Sequence, residues 1–229
     1  MDDGTQIWDL SRHNLQVWGD KGWTKLNHIS CHALNGHKLL EISCRGGTVD
    51  VTDNHSLVSD RQEVIDASAL SVGDKLRMTP FVPVDLTTMS PDLAWLYGFF
   101  VADGCVTGGK LRINNQNRDL LNRSKAIFLK HLGIDSYIYS VQGGMYRLSI
   151  RKPFNLAVRF KEDCYASDGN KRIPKLILNA DYDAKLSFLR GYNAGDGEKT
   201  DRVKSEFYRF KTKSPILALG LCFLVSTAC

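Results

Sequence analysis

Two carboxylates in this chain stand where a helix would least favour them. Asp103 closes the apolar run LYGFFVADG, Leu96–Gly104, and Asp196 closes LRGYNAGDG, Leu189–Gly197. The C-terminal end of a helix is the negative end of its dipole, so an acid there is opposed by the field. One Asp-Gly step is an ordinary turn signal. Here Leu96, Gly98, Asp103 and Gly104 recur 93 residues later as Leu189, Gly191, Asp196 and Gly197. Small residues also recur four apart, Gly98 with Ala102 and Gly191 with Gly195, on one face of each predicted helix. Such faces let two helices approach closely. Packed side by side and parallel, the helices would set two carboxylates and two negative helix ends together, an arrangement that needs a cation. A hard divalent ion such as Mg2+ prefers these oxygen ligands and can support phosphodiester hydrolysis.

The elements that must position these acids change character along the chain. Residues 1–86 read as short strands between Gly, Asp and Asn turns: LQVWG, WTKLNHISCHAL, KLLEISC, GTVDVT and HSLVS, with SVGDKL turning into a further strand. Proline and threonine cluster in TPFVPVDLTTMSP, Thr79–Pro91, which reads as a linker. Beyond it, Ser90-Pro91-Asp92 opens the first motif helix. There follow a strand KLRINNQN, an amphipathic helix closed by Gly133, a hairpin centred on Gly143-Gly144, a third helix, and the second motif helix. EFYRFKTKS then reads as a strand and Pro215 onward as an apolar helix, so the order begins again after the second motif.

Three of these strands alternate basic with apolar residues. Lys110, Arg112 and Asn114 alternate with Leu111 and Ile113; Arg147, Ser149 and Arg151 with Leu148 and Ile150; Arg209, Lys211 and Lys213 with Phe210 and Thr212. Period-two alternation sends each basic set to one sheet face. Together they predict a positive surface for phosphates and base edges. The charge division agrees. Residues 1–104 hold 8 Lys/Arg against 14 Asp/Glu, and residues 105–229 hold 22 against 11. The basic half is the half that would face a polyanion.

Six cysteines without CxxC or framework spacing read as free thiols of a reducing compartment. Cys31, His32 and His37 fit no standard zinc spacing. The acidic, polar N-terminus is no signal peptide. The apolar run ILALGLCFLVSTA, 13 residues, is shorter than the roughly 20 that span a bilayer. A buried helix and an intracellular protein are the expectation.

The motif pair LYGFFVADG and LRGYNAGDG resembles the two dodecapeptide motifs of LAGLIDADG homing endonucleases, a resemblance covering about 140 residues from Pro91 on. It implies pseudo-symmetric αββαββα repeats that grip double-stranded DNA, with Asp103 and Asp196 as catalytic residues and Mg2+ ligands. KRIP, Lys171–Pro174, resembles the basic segment before the second motif and makes Lys171 a base-assisting candidate. By the same token Lys110, Arg112, Asn114, Arg147, Arg151, Arg209, Lys211 and Lys213 are the DNA-binding candidates. VTDNHSL, Val51–Leu57, resembles the Thr-x-x-His segment of the Hint splicing module of inteins, where Thr52 and His55 would polarise a scissile amide. The chain departs from that pattern. It starts Met1-Asp2-Asp3, without a Cys or Ser nucleophile, and Cys229 has no Asn before it. Splicing by this chain alone is therefore not implied, and the chain reads as incomplete at both ends, its second nuclease repeat truncated.

The expectation is an α+β protein: a partial all-β Hint-like module over 1–86 and a LAGLIDADG endonuclease domain over 87–229. It would be a monomer with pseudo-twofold symmetry, cutting duplex DNA with Mg2+, with complementary split-intein or host-protein segments as further partners and no membrane. The alternative from a different class is a LAGLIDADG-type nucleic-acid binder, a regulator or RNA splicing cofactor, that does not cut.

Overall fold

The computed structural model describes residues 5–19, 22–44, 47–78, 87–150, 154–198 and 205–228. Arg151, most of the predicted linker (79–86), Met1-Asp2-Asp3 and Cys229 lie outside these. The chain divides into two units, residues 1–80 and 81–229, each described by itself below.

Among its described residues the first unit is all β apart from one 3-10 turn at Ala67–Ala69. Its strands are β1 (Gln6–Asp9), β2 (Gln16–Gly19), β3 (Gly22–Lys25), β4 (His28–Cys31), β5 (Leu39–Cys44), β6 (Gly47–Thr52), β7 (Ser56–Val58) and β8 (Val64–Asp66). Among the described residues they pair antiparallel, two by two: β1 with β4, β2 with β3, β5 with β6, β7 with β8. Val51, Ser59 and Ala67 are buried, while Trp8, Val17, Trp18, Trp23 and Ile29 stay exposed. Strand patterning was legible because turn residues punctuate it.

The second unit carries the core. α1 (Pro91–Asp103) runs into β9 (Gly104–Thr107) and β10 (Lys110–Asn115), followed by α2 (Arg118–Leu132), β11 (Ser136–Val141), β12 (Met145–Ile150) and α3 (Phe154–Cys164). This is an αββαββα order. A one-turn α4 (Lys175–Leu178) leads to α5 (Tyr182–Asp196), and α6 (Pro215–Ala228) follows. The helix ends are set by local chemistry. Asn117 accepts a hydrogen bond from the Asp119 N–H and Asp181 from the Ala184 N–H, while Gly133 takes the left-handed conformation that stops α2. Ser214 caps α6 by accepting from the Leu217 N–H.

Strands β11, β12, β10 and β9 form one antiparallel sheet in that order. Leu111, Ile113 and Leu148 lie buried on its inner face beneath α1, α2 and α3, joined by Phe100, Phe128 and Phe160. α6 turns Leu217, Leu221, Leu224 and Ala228 inward and leaves Ile216, Leu219 and Val225 exposed. No helix among the described residues is long and apolar enough to cross a membrane.

Two predicted strands fail to form. After the Gly73-Asp74 turn only Leu76 bridges, to Ser59, and residues 206–214 make a single bridge, Phe210 to Gly197. A ladder needs a neighbour along its length. Among the described residues the backbone of 206–213 pairs only with the Gly197-Glu198 step, whose Glu198 N–H donates to the Arg209 carbonyl. Side chains of α5 reach the segment as well, Arg190 to Glu206, Asn193 to the Glu206 carbonyl and Tyr192 to the Lys211 carbonyl.

Candidate active site at the paired helix ends

α1 and α5 touch backbone to backbone. A β-carbon on Gly98 would stand 2.0 Å from the Phe188 carbonyl oxygen, and one on Gly191 would stand 2.0 Å from that of Trp95. Gly191 thus sits at the level of Trp95 and Phe99, while Gly195, one turn on, sits at Ala102 and Asp103. Both helices advance in the same direction, so they are parallel and their acids share one end. The Asp103 Oδ2 lies 2.8 Å from where a β-carbon on Gly195 would be, one residue from Asp196. Gly104 and Gly197 are extended, not left-handed, and serve space: their positions are pressed by the Phe100 ring and the Asn193 side chain.

Each acid has its own surroundings. Asn115 Nδ2 donates to Asp103 Oδ2 at 2.6 Å. Asp196 is open to solvent at the end of α5, yet the protein around its carboxylate still raises its pKa by desolvation, partly offset by Lys171 and a hydrogen bond from Tyr192. Burial and that acid push the Tyr192 phenol up.

Lys171 closes the end of α1. Its Nζ donates to the carbonyls of Phe100 at 2.8 Å, Val101 at 3.0 Å and Gly104 at 2.7 Å. All three ammonium donors are used, on carbonyls at and just past the end of α1, of which that of Phe100 also accepts the Gly104 N–H. Burial lowers its pKa to about 8, against the upward pull of Cys164, Cys105, Asp196 and Asp103. The positive charge stands behind the acid pair as a helix cap. Ser214 ties down the same residue by donating to the Lys171 carbonyl at 2.7 Å.

An open cleft of about 550 Å3 begins at these helix ends, lined among others by Ala102, Lys171, Tyr192, Asp196, Lys211 and Lys213. The remaining basic candidates fall in two places. Lys110, Arg112, Asn114 and Arg147 are on the outer face of the four-stranded sheet. Arg209 and Lys211 both face Glu198, at 3.4 and 3.5 Å, so the expected third basic strand face is partly neutralised. Exposed pairs of this kind hold weakly and can be exchanged for phosphate.

In the first unit Thr52 ends β6 and His55 is exposed in the following turn, its N–H donating to the Thr52 carbonyl at 2.9 Å. Beside them His37 Nδ1 lies 2.7 Å from Asp53 Oδ1, and this contact holds the Asp53 carboxyl below its usual range. Among the described residues no three His, Cys, Asp or Glu converge as a metal cluster. A divalent ion at the helix ends would therefore rest on two carboxylates and fill its shell with water and substrate oxygens, as Mg2+ commonly does. The donor chemistry of Asp103 and Asp196 fits that ion.

Two residues of this site were missed in the sequence and could have been found. Asn115 has the same strand parity as Leu111 and Ile113, so it points to the helix side, where a polar group needs a partner. Tyr192 precedes Asp196 by four residues on one helix face. The His37–Asp53 pair had no comparable signal, being brought together by the β5–β6 pairing.

Residues 90–165 match the family model described as a LAGLIDADG-like domain. A DNA polymerase of Acanthamoeba polyphaga mimivirus is 29% identical over 93% of this chain and 13% of its own length. The replication factor C small subunit of Methanocaldococcus jannaschii is 28% identical over 88% of this chain and 13% of its own. The chain thus spans about an eighth of these relatives. Among solved structures, a mesophilic variant of the homing endonuclease I-DmoI is 29% identical, covering 37% of this chain and 43% of that one, with a TM-score of 0.28.

Proposed function

We propose that this chain is an intein-borne, site-specific endonuclease that hydrolyses double-stranded DNA with Mg2+. The observation that carries the reading is the parallel α1–α5 pair, which sets Asp103 against Gly195 and beside Asp196 at the mouth of a lysine-lined cleft. The LAGLIDADG-like match over residues 90–165 includes the first of these helices.

Asp103 and Asp196 would hold the ion. When bound, it supplies charge for a phosphodiester in attack and lowers the pKa of a water. The remaining work belongs to the chain. Asn115 fixes the Asp103 carboxylate, and the Tyr192 hydroxyl, which donates to the Lys211 carbonyl at 3.3 Å, lowers the pKa of Asp196 beside it. Lys171 neutralises the end of α1, so two acids can stay ionised there. Lys211 and Lys213 offer charge to the strand entering the cleft. Water adds to phosphorus, the bridging P–O bond breaks, and the leaving oxygen takes a proton. Lys110, Arg112, Asn114, Arg147, Arg151 and Lys213 are the proposed DNA contacts, with Arg209 and Lys211 released from Glu198 on binding.

The intein reading rests on where the similarity falls. Nearly the whole chain recurs inside two differently named proteins while occupying an eighth of each, as an inserted element would. In that frame residues 1–86 are the Hint module, with Thr52 and His55 in the splicing role, and 87–229 the nuclease. The test is selection from a randomised duplex library, scoring binding and cutting with Mg2+. A discrete site that is bound and cut supports the reading; a bound site never cut leaves a DNA-binding protein.

A further inference from the structure

On the outer face of the four-stranded sheet the Arg147 guanidinium is held by a neutral neighbour, Asn114. We propose that Arg147 reads a guanine in the duplex, that Asn114 positions it, and that Arg147 is thereby a specificity-determining residue; this deepens the DNA-binding reading above and rests on it.

The four strands and their turns, residues 104–115 and 136–150, contain no Asp or Glu. Register places Tyr139, Arg147 and Asn114 in one row across β11, β12 and β10, and Tyr137, Ser149, Arg112 and Cys105 in the next. The alternate residues Leu111, Ile113 and Leu148 are fully buried, so these rows face away from the helices. Tyr137 and Tyr139 stack at 5.6 Å along the edge strand, 42% and 38% exposed.

Within the row, Arg147 Nε donates to Asn114 Oδ1 at 2.7 Å. That bond lies in the guanidinium plane and fixes it. It is made to a neutral amide, so the charge is not cancelled, unlike Arg190 against Glu206 or Arg209 against Glu198. The bond to Asn114 uses Nε and not the Nη pair, and Arg147 lines an open groove with Ser140, Val141 and Gln142. A phosphate accepts a cation from many directions and needs no fixed plane. Guanine O6 and N7 accept a planar pair of donors, and Arg supplies that pair where Lys cannot. Tyr139 beside it borders the row with an aromatic surface that suits a thymine methyl or a sugar.

The test is a binding profile of the full chain on a randomised duplex library without divalent cation. It compares wild type with Arg147→Ala, Arg147→Lys, Asn114→Leu and Asn114→Asp, and uses Lys110→Ala as a phosphate-contact control. Wild type should show at least one strongly preferred guanine. Both Arg147 variants should lose that preference alone, by roughly 5- to 150-fold. Asn114→Leu should relax the same position, and Asn114→Asp, which keeps an acceptor for Nε but cancels the guanidinium charge, should keep the preferred guanine while weakening binding to all sequences. Uniform weakening of all sequences by Arg147→Ala, with a salt slope lower by about 1 and little change in Arg147→Lys, would mark a phosphate contact and overturn the proposal. So would an unchanged profile for Asn114→Leu. If wild type enriches no sequence, the DNA reading itself fails, a result separate from any change in one position.

Discussion

The carboxylate of Asp103 lies over Gly195, 2.8 Å from the place a β-carbon would occupy, and so reaches across the helix pair to the residue before Asp196. Gly195→Ala should press on the Ala102 β-carbon, which cannot rotate away, and on the Asp103 carboxylate, and so part the two helix ends and displace the acid. Cleavage should fall by an order of magnitude or more, because misplacing a catalytic group by about 1 Å costs on the order of 100-fold. The unfolding midpoint should fall as well. Cleavage at the wild-type rate would show that the acids do not depend on this close approach.

Gly98 and Gly191 should behave differently. At each, an added methyl meets a backbone carbonyl of the other helix at 2.0 Å, so the helices themselves must part. Ala at either position should destabilise the second unit by about 1–3 kcal/mol or more. Thermal denaturation of the two variants checks this, and midpoints equal to wild type would show that the helix contact is looser than described.

Asp196 should act against stability when no cation is present. Its folded pKa is raised by desolvation from 3.8, so the folded state holds the proton longer than the unfolded one. Stability therefore falls as pH rises from about 3.8 through the folded pKa. Asp196→Asn should be more stable than wild type at neutral pH, the gain vanishing in acid. Adding Mg2+ should raise the wild-type midpoint and leave the variant unmoved.

Lys171 gives the opposite window. The unfolded lysine keeps its proton to about 10.5 and the folded one to about 8. Between those values the unfolded state binds more protons, so wild type should gain stability relative to Lys171→Met as pH rises from 8 to 10.5. Below 8 the difference should be flat. Urea unfolding of both proteins across that range measures it.

What the sequence disclosed was what repetition and alternation encode. The matched glycines foretold the close parallel helices, and Leu111, Ile113 and Leu148 foretold the inner sheet face. The order α1 to α3 followed from the Ser90-Pro91-Asp92 opening, the Gly133 stop and the Gly143-Gly144 hairpin. Pairing across long separations was less legible. Lys171 was singled out through resemblance, but its three bonds into the end of α1 depend on a loop 67 to 71 residues away in sequence. Residues 207–213 alternate like a strand, yet alternation names a face and not a neighbour, and only Phe210 bridges. Arg209 and Lys211 counted as free charge until folding set Glu198 between them.

The central claim is that the paired acids form a hydrolytic centre. Its most direct test is single-turnover cleavage of the selected duplex, with Mg2+ or EDTA, by wild type, Asp103→Asn and Asp196→Asn at equal occupancy. The account predicts cutting by wild type with Mg2+ alone, and none by either variant despite equal or tighter binding, since each removes a negative charge near phosphate. Cutting by both Asn variants at the wild-type rate would contradict it.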